Sequence, residues 1–229
     1  GELFKERLGF AAFNRAMRDA LIACTDFNWS KISPAIFGSL FQGVMDPKDR
    51  RQTGGHYTSE RDILKVINAL FMDALRSEFE KARRSKAMLR QFHKKLGALR
   101  FFDPACGCGN FLVITYRELR LLEIEVLKDL FGKEVQQELD VQSLSGINVD
   151  AFTGIEIQEW PARIAEVAMW LMDHQMNTRL SEAFGQYFVR LPLRMSAHIH
   201  LGNALRLDWK AILPPEQCSY VLGNPPFIG

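Results

Sequence analysis

Around residues 99–126 the chain changes its hydrophobic period once, and the change falls on a pair of glycines. Positions 99–102 are mostly apolar and end at Asp103-Pro104, where proline stops further strand pairing. From Phe111 onward, Leu112, Ile114, Leu119, Leu122 and Val126 follow helical spacing. Gly107 and Gly109 lie between the two patterns and permit a turn that residues with a Cβ resist. The prediction is strand, tight turn, helix. Such a turn offers free backbone N–H groups and the positive end of a helix dipole to a ligand that comes close.

On either side the periodicity is also legible. Leu3, Phe4, Leu8, Phe10, Phe13, Met17 and Leu21 make one amphipathic helix, which Asp26, Asn28 and Ser30 break. Ser33-Pro34 opens a second, with Ile36, Phe37, Leu40, Phe41 and Val44 as its apolar face and Asp46-Pro47 as its end. The two helices read as a connector over residues 1–50, ahead of a main domain over 51–229. A polar loop over 46–55 leads to Thr58 or Ser59 as cap of a helix carrying Ile63, Ile67, Leu70, Ala74 and Leu75 and running to about Phe79. After the central turn come a charged helical segment over 123–140 and a loop over 148–150. A strand over 152–157 follows, then a helix opened by Pro161 with Ile164, Val167, Ala168, Leu171 and Met172 as its buried face. Further strands are expected near His198 and over 218–222. Strands alternating with helices point to a Rossmann-like α/β core.

Composition narrows this little. With 229 residues, 47% of them hydrophobic and 24% charged, the chain can bury a full core, and no apolar run is long enough to span a bilayer. The N-terminus is not a signal peptide, so the cytoplasm is expected. Cys24, Cys106, Cys108 and Cys218 are scattered in a chain too large to need staples, so reduced thiols are expected. A net charge of +2 makes no case for a nucleic-acid partner. Residues 81–100, however, hold Lys81, Arg83, Arg84, Lys86, Arg90, Lys94, Lys95 and Arg100 with no acid among them. The block could meet phosphates; a solvated helix face followed by a loop is the commoner case.

Candidate chemistry gathers at the predicted strand ends. The turn lacks the third glycine of a dinucleotide fingerprint and the Gly-Lys-Ser or Gly-Lys-Thr of a P-loop. Glu156, ending the second strand, could accept hydrogen bonds from two neighbouring ribose hydroxyls. Its distance from Gly107 exceeds the usual interval of about 20 residues, so an insertion must be looped out. Cys106 with Cys108, and His198 with His200, could start a metal site, but neither pair has the further ligands one needs. The fourth strand runs into Asn224-Pro225-Pro226-Phe227. Two prolines stiffen the turn, so the Asn224 side-chain oxygen and the Pro225 carbonyl can face one point. Two acceptors and no base suit an exocyclic NH₂ held by both hydrogens, and Phe227 offers a ring on which an extruded base can stack.

These stretches resemble a known family. Asp-Pro-Ala-Cys-Gly-Cys-Gly-Asn-Phe resembles the first motif of S-adenosylmethionine-dependent methyltransferases, and Asn-Pro-Pro-Phe is similar to the catalytic motif of N6-adenine DNA methyltransferases. With Tyr-Thr-Ser upstream, the order is that of their gamma group. Longer stretches, including Ile-Phe-Gly-Ser-Leu-Phe-Gln from Ile36 and Leu-Gly-Asn-Pro-Pro-Phe-Ile-Gly at the end, resemble the methyltransferase segment of MmeI-like restriction-modification enzymes over roughly residues 34–229.

The resemblance implies a Rossmann-like methyltransferase core in a bacterial protein. S-adenosyl-L-methionine would be bound by Tyr57, Thr58, Asp103, Pro104, Ala105, Cys106, Gly107, Gly109, Asn110, Phe111, Glu156, Ile157, Asn203 and Ala204. Asn203 stands where many relatives carry aspartate; an amide both accepts and donates, so adenine recognition survives. The implied catalytic residues are Asn224, Pro225, Pro226 and Phe227, acting on an adenine flipped from double-stranded DNA. Nuclease and target-recognition parts would belong to a longer parent chain, and these residues alone are expected to transfer no methyl groups. Two other classes stay open, a methyltransferase of protein glutamine or RNA and a non-catalytic cofactor-binding module.

Overall fold

The computed structural model describes residues 14–26, 32–44, 58–132, 144–185 and 197–225. The chain divides into two units, Gly1–Ser33 and Pro34–Gly229. In the first, helix α1 (Arg15–Thr25) is capped by Asn14, whose side chain accepts a hydrogen bond from Met17 N at 2.8 Å. Met17, Leu21 and Ile22 are exposed on it. The part of the expected helix before Asn14 lies outside the described residues, as does most of the loop expected over 46–55.

The second unit holds helix α2 (Ile36–Val44) and the run α3 (Glu60–Ile67), a π-helical turn (Asn68–Met72), α4 (Asp73–Ala82) and α5 (Lys86–Ala98). Then follow β1 (Phe101–Asp103), α6 (Asn110–Phe131), β2 (Phe152–Glu156), α7 (Glu159–Ala183), β3 (His198–Leu201), α8 (Trp209–Ile212) and β4 (Tyr220–Val221). The strands form one parallel sheet in the order β3-β2-β1-β4. Phe101 stands opposite Phe152 on one side and Tyr220 on the other, with ring centroids 5.0 and 5.7 Å away. Phe71 and Tyr116 close over these rings, so this face of the sheet is the centre of the core.

Helix α6 is buried on nearly every side, including all five positions that carry its helical period. At 22 residues it also absorbs part of the long interval between Gly107 and Glu156, so the insertion is helix as well as loop; residues 133–143 lie outside the described set. The expected charged segment beginning at Glu123 needs correction, because Glu123 is fully buried. It accepts hydrogen bonds from His93 Nε2 (2.8 Å), Ser145 Oγ (2.9 Å) and Gly146 N (2.7 Å) and lies 3.1 Å from Arg120 Nε. Arg120, also buried, donates to the Tyr116 hydroxyl, the Ile147 carbonyl and Asn177. Two charges thus leave water together, and their hydrogen bonds fix α5, α6 and α7 to one another.

Two expected apolar faces shift. From Ile63 the buried positions run Ile67, Phe71, Leu75 and Phe79, while Leu70 and Ala74 are exposed. Four-residue steps drift by about 40° each around a 3.6-residue turn, and the wide π turn absorbs that drift. On α7 the buried set is Ala162, Ala165, Ala168, Met169 and Met172, whereas Ile164 and Val167 are half-buried and Leu171 is exposed. The reason is close approach: a Cβ at Gly109 would lie 3.0 Å from that of Ala165. Helix α7 therefore turns its alanines, not its larger side chains, toward the glycine turn.

Burial alone would raise the Glu123 carboxyl, but the His93 hydrogen bond and the Arg120 and His93 charges hold it below its ordinary 4.5. The stability it gives is complete above that value and is lost as pH falls through the lowered one. Glu123→Gln should cost about 3–5 kcal/mol in urea unfolding at pH 7, and the gap to the unaltered chain should narrow as pH drops below 4.5.

Candidate functional site

Each strand of a parallel sheet ends on the same side, and here the ends of β1, β2, β3 and β4 carry the residues singled out above. After β1, Asp103 Oδ1 accepts a hydrogen bond from Ala105 N at 3.0 Å, which folds Pro104 and Ala105 into the turn. Cys106 N then donates to Ile155 O at 2.9 Å, holding the turn to β2. Gly107 and Gly109 have φ of +56° and +80°, backbone that favours glycine, and Gly109 caps α6. Asn110 begins α6 with its amide against Gly38 of α2, and Phe111 is buried in the core.

Glu156 closes the turn from the neighbouring strand. Its two carboxylate oxygens accept from Gly107 N at 3.0 Å and Gln158 N at 2.8 Å. Ile157 follows with its side chain 60% exposed. Gly202 N donates to Glu156 O at 2.8 Å, which carries β3 far enough to put Asn203 and Ala204 beside this end of β2. Asn203 Oδ1 caps its own turn by accepting from Leu205 N, and the Ala204 carbonyl accepts from Trp209 Nε1.

On the other side of β1, Leu222 N donates to Phe102 O at 2.9 Å and brings the end of β4 level with Asp103. Gly223, at φ +146°, lies so close that a Cβ there would strike the Asp103 carboxylate. Asn224 comes next, and its Nδ2 donates to Thr58 Oγ1 at 3.1 Å across 166 residues of sequence. Thr58 directly precedes Ser59, the cap of α3, whose side chain accepts from Asp62 N. Pro225 is exposed beside Asn224. Tyr57, Pro226 and Phe227 lie outside the described residues.

The electrostatics follow from burial. Asp103 is pushed up to about 7, by burial against the Ala105 hydrogen bond and with help from the Glu156 charge. Glu156 is raised too, by burial against the hydrogen bonds from Gln158 and Gly107. Neither carboxylate has an ion pair among the described residues, so the two make an acidic floor without a cation. Burial also raises the thiols of Cys106 and Cys108, the latter to about 12, and neither is a nucleophile at neutral pH. Among the described residues no three His, Cys, Asp or Glu side chains could hold a metal ion.

Sequence reasoning passed over three supports. Gly154 leaves room for the Cys106 sulfur, Gly223 leaves room for Asp103, and Arg117 on α6 pairs with Glu60 at 2.7 Å to hold the start of α3. A glycine within each apolar strand end was the available signal for the first two; nothing along the chain signalled the third.

A parallel sheet in this order, with a glycine turn after β1, an acid after β2 and an Asn-Pro turn after β4, is that of a Rossmann-like methyltransferase domain. The chain belongs to the family described as MmeI, DNA-methyltransferase domain, whose model matches residues 79–229. It is similar to the protein named DNA methyltransferase A of Bacillus subtilis (strain 168), at 38% identity over 235 residues, covering 100% of this chain and 26% of that one. Among solved structures it is similar to the type IIL restriction-modification enzyme MmeI in complex with DNA, at 59% identity and a TM-score of 0.93, covering 100% of this chain and 30% of that one. The chain thus spans less than a third of either relative's length.

Without a bound cation, Asp103 favours the fold in its neutral form. The stability this gives is complete below its ordinary value of 3.8 and is lost as pH rises through about 7. Between those limits Asp103→Asn should flatten the decline in urea-unfolding stability. An unchanged slope would place the proton elsewhere.

Proposed function

We propose that this chain is the cofactor-binding half of a methyltransferase that transfers a methyl group from S-adenosyl-L-methionine to N6 of an adenine flipped out of double-stranded DNA. It would serve as the modification part of a combined restriction-modification enzyme. The observation that carries the reading is the seating of Gly223 against Asp103, which sets Asn224 beside the acidic floor.

The donor set fits this cofactor. A buried and a half-buried carboxylate without a cation suit a ligand bearing a sulfonium and an ammonium group, and Glu156 is placed to accept from a ribose diol. Where a Cβ on Gly107 would stand there is open space, so the turn admits a ligand close to its backbone. Ile157 and Asn203 would then take the purine and Thr58 the methionine end, with Tyr57 joining it as the family resemblance implies. When bound, the cofactor supplies an electrophilic methyl group on a cationic sulfur.

The remaining work belongs to this chain's own residues. The Asn224 Oδ1 and Pro225 carbonyl accept both hydrogens of an exocyclic amino group and keep its lone pair directed at the methyl carbon. Phe227 stacks on the flipped base, worth about 1–3 kcal/mol against a flipping cost of a few kcal/mol. Methyl transfer would then be one in-line displacement, the N–C bond forming as the S–C bond breaks, with the thioether as leaving group, the surplus amine proton passing to solvent and no covalent enzyme intermediate. Sequence recognition and cleavage fall to the rest of the parent chain, of which this chain has only part.

The full-length parent protein, incubated with methyl-labelled S-adenosylmethionine and DNA, RNA or protein, should place label in N6-methyladenine of DNA. Asn224→Ala should lower that label at least about hundredfold. Label in RNA or protein instead would keep the chemistry and replace the substrate.

A further inference from the structure

We infer that Thr58 is a positioning residue that sets which end of the Asn224 amide faces the methyl acceptor, and that it does so in response to the cofactor. The inference rests on the function proposed above.

A threonine hydroxyl has one proton to give and lone pairs to receive. In the structure Thr58 Oγ1 receives from Asn224 Nδ2 at 3.1 Å, and Asn224 Oδ1 has no partner among the described residues. That is the orientation in which the amide can accept from an amino group. The reverse orientation is open to the same pair: Thr58 would donate its proton to Asn224 Oδ1, and the amide NH₂ would then face the acceptor NH₂, donors against donors. Which arrangement holds depends on where the Thr58 proton goes. An anionic group at the methionine end of the cofactor would accept a hydrogen bond from the Thr58 hydroxyl and so remove the reverse arrangement. A filled cofactor site and a target amino group would therefore strengthen each other through one hydroxyl.

Both partners are held from behind, so the pair cannot relax by drifting apart. Thr58 stands at the start of α3, which Glu60 ties to Arg117 of α6 at 2.7 Å and Ile63 anchors in the core. Asn224 follows Gly223, which has no room to move toward Asp103. Helix α3 and the end of β4 thus hold the two side chains within reach of each other, and the choice lies in the turn of the Asn224 amide together with the rotation of the Thr58 hydroxyl.

The test uses the full-length parent protein and its target duplex, with S-adenosylhomocysteine as the unreactive probe. In the unaltered protein, saturating probe should tighten binding of target DNA about tenfold, within the usual range for coupled sites. It should not tighten a duplex in which the target adenine is replaced by purine, which lacks the amino group. Thr58→Val should abolish the tightening and lower kcat at saturating cofactor about hundredfold. Thr58→Ser should keep both. Equal tightening on the purine duplex, measured with the unaltered protein, would overturn the inference even if Thr58→Val failed to fold. So would a Thr58→Val protein that raised KM for the cofactor but kept kcat, since Thr58 would then be a cofactor contact alone. If the unaltered protein makes no N6-methyladenine, the functional reading fails first and this inference falls with it; methylation without coupling removes this inference only.

Discussion

Strand β1 is only three residues long, yet it is hydrogen-bonded along both edges, to β2 and to β4. Because the pairing is parallel, the three strands end level, and whatever follows each of them emerges at one place. Phe101 holds the register from below, stacked between Phe152 and Tyr220, and a slip of one residue on either side would turn an aromatic ring out of the core. The aromatic stack therefore locates the chemistry although it lies a layer beneath it.

Above that stack the constraint becomes one of space. Gly109 meets Ala165, Gly154 meets Cys106 and Gly223 meets Asp103, each at a distance where a larger residue would have to push something aside. The glycines let three pairs of segments close up around the strand ends, one of them directly on the buried Asp103 carboxyl, with the half-buried Glu156 on the neighbouring strand. Asp103 and Glu156 then carry an unpaid desolvation cost, visible in their raised proton affinities. A cationic ligand would relieve that cost, which is what the proposed cofactor would bring.

The lower half of the domain solves the opposite problem. Arg120 and Glu123 are buried with each other, with His93 and with backbone groups around Ser145 and Ile147, and their charges are met within the protein. The middle of α6 thus carries a buried polar network and its first turn a glycine bend beside acids with no ion pair among the described residues. That network ties together the helices on which the site rests.

Much of this was written along the chain. The change of period at Gly107, the helical spacing from Phe111, the strand expected over 152–157 and the asparagine before two prolines are local patterns, and local patterns survive in a sequence because they reflect backbone geometry and the burial of one face. The family resemblance added residue roles that spacing alone could not supply. What the chain could not disclose were the contacts between distant segments. Glu123 reads as one more charge on a helix until His93 and Gly146 arrive to meet it. The large residues of α7 look like its buried face until the glycine turn comes close enough to prefer alanine. Thr58 and Asn224 share a hydrogen bond across 166 residues, and nothing in either neighbourhood names the other. Sequence determined the elements and the chemistry each one carries; packing decided which of those groups touch, because contact depends on the register of strands and the room between backbones, and neither has a local signature.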